Sequence, residues 1–202
     1  MSGEDEHLSA LWLATLRRIT DRVAHDIRNA LNGVAVNVEV VRSRASRGGD
    51  AATIAPFAVA ASGQVEILSG QVDALVSILR PVTTPIDLGA LLGRLVTLLR
   101  AGAGKGTIEL ELPVESVAVP SAAGGDATCL ALGSILLAAL ERGGRTTCRL
   151  ATDDVPTVYI SCDSGGPLVV PADIAESLTR AGILLIPSPD GIAVTFPSSL
   201  RD

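Results

Sequence analysis

The sequence predicts an α+β protein: an N-terminal antiparallel helical hairpin over residues 1–80, followed by a small α/β sandwich over residues 86–202. Three observations lead there. The first 79 residues carry two long apolar stripes at helical spacing. A Pro81-Val-Thr-Thr-Pro85 segment then stops the helix, because proline lacks the N–H that a helix interior needs. Beyond it, short β-branched runs alternate with helical ones, the pattern of one sheet covered on one face by helices.

The first stripe is Leu8, Trp12, Leu16, Ile19, Val23, Ile27, Ala30, Val34, Val38 and Val41, with no proline over residues 4–46. Its mean spacing of about 3.67 residues is close to that of a straight α-helix. Val34, Val36, Val38 and Val40 alternate like a strand, but the stripe on both sides outweighs them. Ser46-Arg47-Gly48-Gly49-Asp50 reads as a turn. Ile54, Ala58, Ala61, Val65, Leu68, Val72, Leu75 and Leu79 then alternate gaps of four and three, a heptad seam on a helix from Ala51 to Leu79. One hairpin leaves each stripe half covered, so a homodimer through residues 8–79, a four-helix bundle, is expected.

In the second part, helices are expected at Leu88–Ala101, Asp126–Arg142 and Ala172–Ala181. Strands are expected near Thr107–Leu112, Val117–Val119, Thr146–Ala151 and Thr157–Cys162. A last hairpin, Ile183–Ile186 and Ile192–Phe196, turns at Pro189-Asp190-Gly191.

Composition narrows the function. Of 202 residues, 48% are hydrophobic and 2% aromatic, so the core is built from Leu, Val, Ile and Ala. The net charge is −6, which argues against a nucleic-acid partner, since neutralising phosphates needs a basic field. Uninterrupted apolar runs such as Ile135–Leu140 fall short of the roughly 20 residues that span a bilayer, and the acidic N-terminus is unlike a secretory signal. Cys129, Cys148 and Cys162 are an odd number without CxxC spacing, which suits a reducing compartment. A cytoplasmic protein with no membrane partner is expected.

His25 is the leading chemical candidate. It lies about 200° round the helix from Val23, so it projects away from the apolar stripe. Around it stand Arg18, Asp21, Arg22, Arg28, Asn29 and Asn32. A neutral imidazole is nucleophilic near pH 7, Asp26 can orient or deprotonate it, and Asn29 can hydrogen-bond a phosphoryl group or a water. Arg18, Arg22 and Arg28 share its face at helical spacing and form a basic stripe, which reads either as a solvated helix face with ordinary salt links or as a docking surface for an acidic partner.

The run His25-Asp26-Ile27-Arg28-Asn29-Ala30-Leu31 resembles the H-box of two-component histidine kinases, which sits on the first helix of a dimerising hairpin. Ala30 departs from the proline common there. Residues 86–197 are similar in order of elements to the ATPase domain of those kinases, with motifs that have degenerated. The helix Asp126–Arg142 lies where two asparagines are expected, one to hold Mg²⁺ with ATP, yet it contains none; Ser134 and Ala138 stand nearest the lost positions. Asp163-Ser164-Gly165-Gly166 echoes the box that reads adenine, but Pro167–Pro171 leads straight into the last helix and leaves no room for a lid. The combination resembles the dimeric histidine phosphotransferases of the ChpT type. That resemblance implies a phosphorelay in which His25 shuttles phosphoryl groups between receiver-domain aspartates. No cofactor on this chain is then needed, the Mg²⁺ being held by the receiver. The alternatives are a non-catalytic scaffold that binds response regulators, or an active kinase with an atypical nucleotide site.

Two further motifs carry less. Cys162-Asp163-Ser164-Gly165-Gly166-Pro167 is similar to the nucleophile segment of trypsin-like proteases, but Cys162 replaces the oxyanion glycine and the first eighty residues are helical. Gly102-Ala-Gly-Lys-Gly106-Thr107 departs from GxxxxGK[ST] and reads as a turn into a strand.

Overall fold

The computed structural model describes residues 3–80, 86–100, 106–111, 124–151 and 155–197. Helix α1 runs Gly3–Ser46 and α2 runs Ala51–Leu79. The valine alternation therefore lies inside one continuous helix, as the flanking stripe requires. Asp50 caps α2: its carboxylate accepts the Thr53 amide at 2.8 Å, and that bond lowers its pKa.

Helix α3 (Leu88–Arg100) leads to strand β1 (Gly106–Glu111), α4 (Gly125–Arg142), β2 (Gly144–Ala151), β3 (Thr157–Cys162), α5 (Ala172–Arg180), β4 (Leu184–Ser188) and β5 (Gly191–Thr195). The sheet order is β1-β2-β3-β5-β4, with β1 parallel to β2 and every other pair antiparallel. These elements fall within a residue or two of the sequence expectation. The expected strand Val117–Val119 lies outside the described residues.

Side chains alternate across the sheet. Ile108, Cys148, Leu150, Val158, Ile160 and Val194 point to one face and are buried under the helices. Arg145, Arg149, Tyr159 and Ser161 point to the other and are exposed, with the Arg149 guanidinium 4.5 Å from the centre of the Tyr159 ring. Burial pushes the Cys148 thiol up to about 12, and Cys129 on α4 likewise to about 12.

The hairpin does not stand apart from this layer. Trp12, Leu16, Ile19 and Val23 belong to the same core as α3, α4 and the sheet. A Cβ on Gly133 would lie 3.1 Å from the Trp12 ring and 3.4 Å from Ile19, so the absent side chain is what lets α1 approach α4. Ser9 Oγ donates to Asp126 at 2.5 Å near the start of α4, and Arg18 bonds Glu141 at 2.5 Å near its end. The first turns of α1 thus roof α4, which is buried on nearly every side.

The stripe of α2 is only half used. Ala61 and Leu68 are buried, but their seam neighbours Val65, Val72 and Leu79 are exposed. Towards the C-terminal end burial passes to Gln71, Ala74 and Ile78, because α3 joins α1 there on the other flank of the helix. The reading of apolar runs also needs correction. Taken as a whole helix, Ala51–Leu79 is long and apolar enough to cross a membrane by length and composition, with a mean hydropathy of 1.4 over its most apolar stretch. Counting uninterrupted runs missed this because isolated polar residues break the runs without lowering the mean.

Candidate functional site

His25 lies on α1 beyond the stretch that roofs α4. Its side chain is 71% exposed, whereas that of Asp26, about 100° round the helix, is 9% exposed. Two neighbours from the His25–Leu31 run reach the same ring atom. Asn29 Nδ2 is 3.1 Å from His25 Nδ1, and Asp26 Oδ1 is 3.6 Å from it. Nδ1 is therefore occupied, and no described residue is bonded to Nε2. Asp26 Oδ2 is buried without a hydrogen-bond partner.

The arginines differ from one another. Arg18 is committed to Glu141 and ties the helix to α4. Arg22 is half-buried, with its Nε unpartnered. Arg28 is exposed. The basic stripe therefore has one anchored end and two members available to a partner.

The residues that the resemblance would place around a nucleotide serve other contacts. Ser134 is buried and its hydroxyl turns back to the Ala131 carbonyl. Ala138 is half-buried beside it on α4. Asp163 Oδ1 accepts the backbone N–H of Arg145 at 2.8 Å and closes the start of β2. Arg142 donates to the carbonyls of Gly166 and Pro167 at 2.7 and 2.8 Å, clamping the loop where a lid would begin. Gly166 holds φ +83°, and a Cβ there would lie 2.6 Å from Arg142 Nη2, so the clamp needs glycine. These residues do not fit a magnesium–triphosphate group. Of the Gly102–Thr107 segment read as a turn into a strand, Gly106 and Thr107 open β1 and residues 102–105 lie outside the described residues.

Sequence reasoning missed two features here. Glu141 pairs with Arg18 across elements far apart in the chain, which helical spacing cannot reveal. Gln71 is 1% exposed with both amide atoms unpartnered. Its signal was present: a second glutamine one heptad from Gln64, on the flank of the apolar seam.

No family model matches the sequence, and no curated protein matches it. Among solved structures, the chain is similar to a bacterial phosphotransferase, at 18% identity over 98% of both chains with a TM-score of 0.42. It is also similar to the blue-light activated histidine kinase EL346 of Erythrobacter litoralis, at 16% identity over 91% of this chain and 61% of that one, TM-score 0.41. A third similarity is to the Acinetobacter baumannii histidine kinase AdeS, at 14% identity over 87% of this chain and 98% of that one, TM-score 0.43. These overlaps are loose, and what the site can do follows from its own geometry.

Proposed function

We propose that the protein is a histidine phosphotransferase that carries phosphoryl groups between the aspartates of response-regulator receiver domains through His25, without binding ATP. The observation that carries this reading is the asymmetry of the His25 ring: Nδ1 faces Asp26 and Asn29, while Nε2 is left to solvent. When Asp26 rather than the Asn29 N–H engages Nδ1, the ring bears its proton there and has a lone pair on Nε2. That lone pair attacks the phosphorus of an aspartyl phosphate; the N–P bond forms, the P–O bond to the carboxylate breaks, and the donor aspartate leaves as its anion. The ring is then an imidazolium, whose charge the Asp26 carboxylate balances. In the second half-reaction an acceptor aspartate attacks the phosphorus and the Nε2 lone pair is restored.

The receiver supplies its own Mg²⁺. Support for a route without ATP comes from α4, which carries no asparagine, and from Asp163 and Arg142, which are engaged with the Arg145 amide and the Gly166 carbonyl. Arg22 and Arg28 meet the acidic pocket that surrounds a receiver aspartate, where opposite charges act mainly on the association rate. The exposed members of the α2 stripe pair with a second copy to complete a four-helix bundle, so the working unit is a homodimer.

Incubation with a phosphorylated receiver tests the reading. Acid-labile phosphate should appear on His25 and be lost in His25→Ala. Phosphate on His25→Ala would overturn it. Arg22→Glu with Arg28→Glu should slow transfer steeply at low salt and less at high salt, because rim charges are screened.

A further inference from the structure

We infer that Gln71, on the opposite helix of the hairpin, is a positioning residue for His25. Its side-chain amide, unbonded in this structure, closes on the Asp26 carboxylate, holds it against Nδ1 and so selects the ring tautomer that leaves Nε2 nucleophilic. The inference deepens the phosphotransfer reading and takes its significance from it.

The register of the hairpin puts Gln71 there. Gln64 lies flat on Gly33: a Cβ on that glycine would be 2.4 Å from Gln64 Nε2, and Asn37 donates to Gln64 Oε1 at 3.4 Å. The two helices are antiparallel. One heptad back from Gly33 on α1 is Asp26, and one heptad on from Gln64 on α2 is Gln71. A heptad returns to nearly the same helix face, so Gln71 meets α1 at the level of Asp26. Both side chains are enclosed there, and both carry orphaned atoms: Asp26 Oδ2, Gln71 Nε2 and Gln71 Oε1. No bond joins them in this structure, yet an amide N–H and a carboxylate oxygen are complementary donor and acceptor. Arg22 Nε, one turn earlier on α1, is also buried and unpartnered.

The pairing matters because Asp26 and Asn29 make opposite demands on Nδ1. If the Asn29 N–H donates to Nδ1, the ring proton is on Nε2, and that atom has no lone pair to attack with. If Asp26 Oδ1 accepts from Nδ1–H, the Nε2 lone pair is free. Asn29 is nearer, at 3.1 Å against 3.6 Å. Asp26 must close by about 0.6 Å to reach ordinary hydrogen-bond length. An amide bonded to its other oxygen fixes the carboxylate so that it can. The ring proton exchanges between nitrogens through solvent, so no group is consumed. Gln71 itself lines a groove of about 480 Å³ between α2 and α3, with Glu66, Ile67, Gly70, Thr97 and Arg100, so water there is its competing partner.

Nitrogen NMR of the His25 ring in the full chain separates these cases. Gln71→Met keeps the length and removes the amide. It should lower the fraction of Nδ1–H tautomer and slow transfer from a phosphorylated receiver about tenfold, as should Asp26→Asn. The double variant should be no worse than either single one, the mark of a shared pathway. The inference fails if Gln71→Met leaves the tautomer fraction unchanged while Asp26→Asn lowers it, as water-bound Gln71 would give, or if the two effects multiply. Should Gln71→Met not fold, as read from Trp12 emission, Gln71→Leu removes the amide without adding a titratable group and gives the same readout. If the wild-type chain accepts no phosphate from any receiver, the phosphotransfer reading falls, while the tautomer fraction still decides the role of Gln71.

Discussion

Two stretches of α1 carry the same apolar stripe and meet different environments. Over Trp12, Leu16, Ile19 and Val23 the stripe is buried, because α4 and α3 as well as α2 enclose it. From Ile27 onward α1 has only α2 beside it; Ile27, Ala30, Val34 and Val41 are half-covered and Val38 is exposed. A helix stripe is satisfied by a third element, not by a single partner. The first stretch finds its third element within the chain. The second, with the exposed Val65, Val72 and Leu79 of α2, presents a face that needs one from outside. His25 sits at the junction, on a helix fixed at one end and open to a partner at the other.

The largest effect should come from the open stretch. Val65→Asp with Val72→Asp places carboxylates in the proposed dimer seam, where desolvating each charge costs several kcal/mol. Sedimentation should show a dimer for the wild type and a folded monomer for the variant. Leu68, in contrast, faces into the hairpin, so Leu68→Asp should damage the fold itself. A wild-type monomer that floats with lipid vesicles would identify a bilayer, and not a second copy, as the cover of α2.

Next is the closed stretch. Ile19 is fully buried, and Ile19→Ala should cost about 2–5 kcal/mol in a denaturant melt followed by Trp12 emission. Val38→Ala, on the open stretch, should change the same melt by less than about 0.5 kcal/mol. Equal losses at the two sites would erase the contrast.

The buried thiols give a pH-dependent version of the test. Cys129 and Cys148, pushed up to about 12, stay protonated at pH 8 in the folded chain. Thiol-directed alkylation there should proceed only as fast as the layer opens. The stability held by these neutral thiols is fully present below pH 9, their ordinary value, and is lost as pH rises towards 12. Alkylation at the rate of a free thiol would show that the layer is open.

The smallest effect belongs to the Arg18–Glu141 pair. Both side chains are more than half exposed, so Arg18→Glu should cost at most about 1 kcal/mol, and the swap with Glu141→Arg should restore it.

The division between closed and open stretches also marks what the sequence could reveal. Periodicity placed α1, α2 and the sheet elements because burial on one face imposes a period of 3.6 or 2 on each element locally. It placed His25 outward for the same reason, but it did not show that the Asp26 side chain turns inward. It could not show that α1 roofs α4, since the Trp12–Gly133 contact joins residues with no local pattern in common. Nor could it show which members of the α2 seam face inward, because a heptad seam looks the same whether its cover is the neighbouring helix, α3 or a second chain. Arg18 read as a docking residue on spacing alone; the residue that binds it, Glu141, comes from the other end of the fold.

A reconstituted relay tests the central claim most directly. A donor receiver carrying labelled aspartyl phosphate is mixed with an unlabelled acceptor receiver, with no ATP present. Label should reach the acceptor only when the wild-type chain is added, pass transiently through an acid-labile adduct on His25, and be absent with His25→Ala. Label reaching the acceptor equally well with His25→Ala, or appearing on the wild-type chain only when ATP is supplied, would contradict the account.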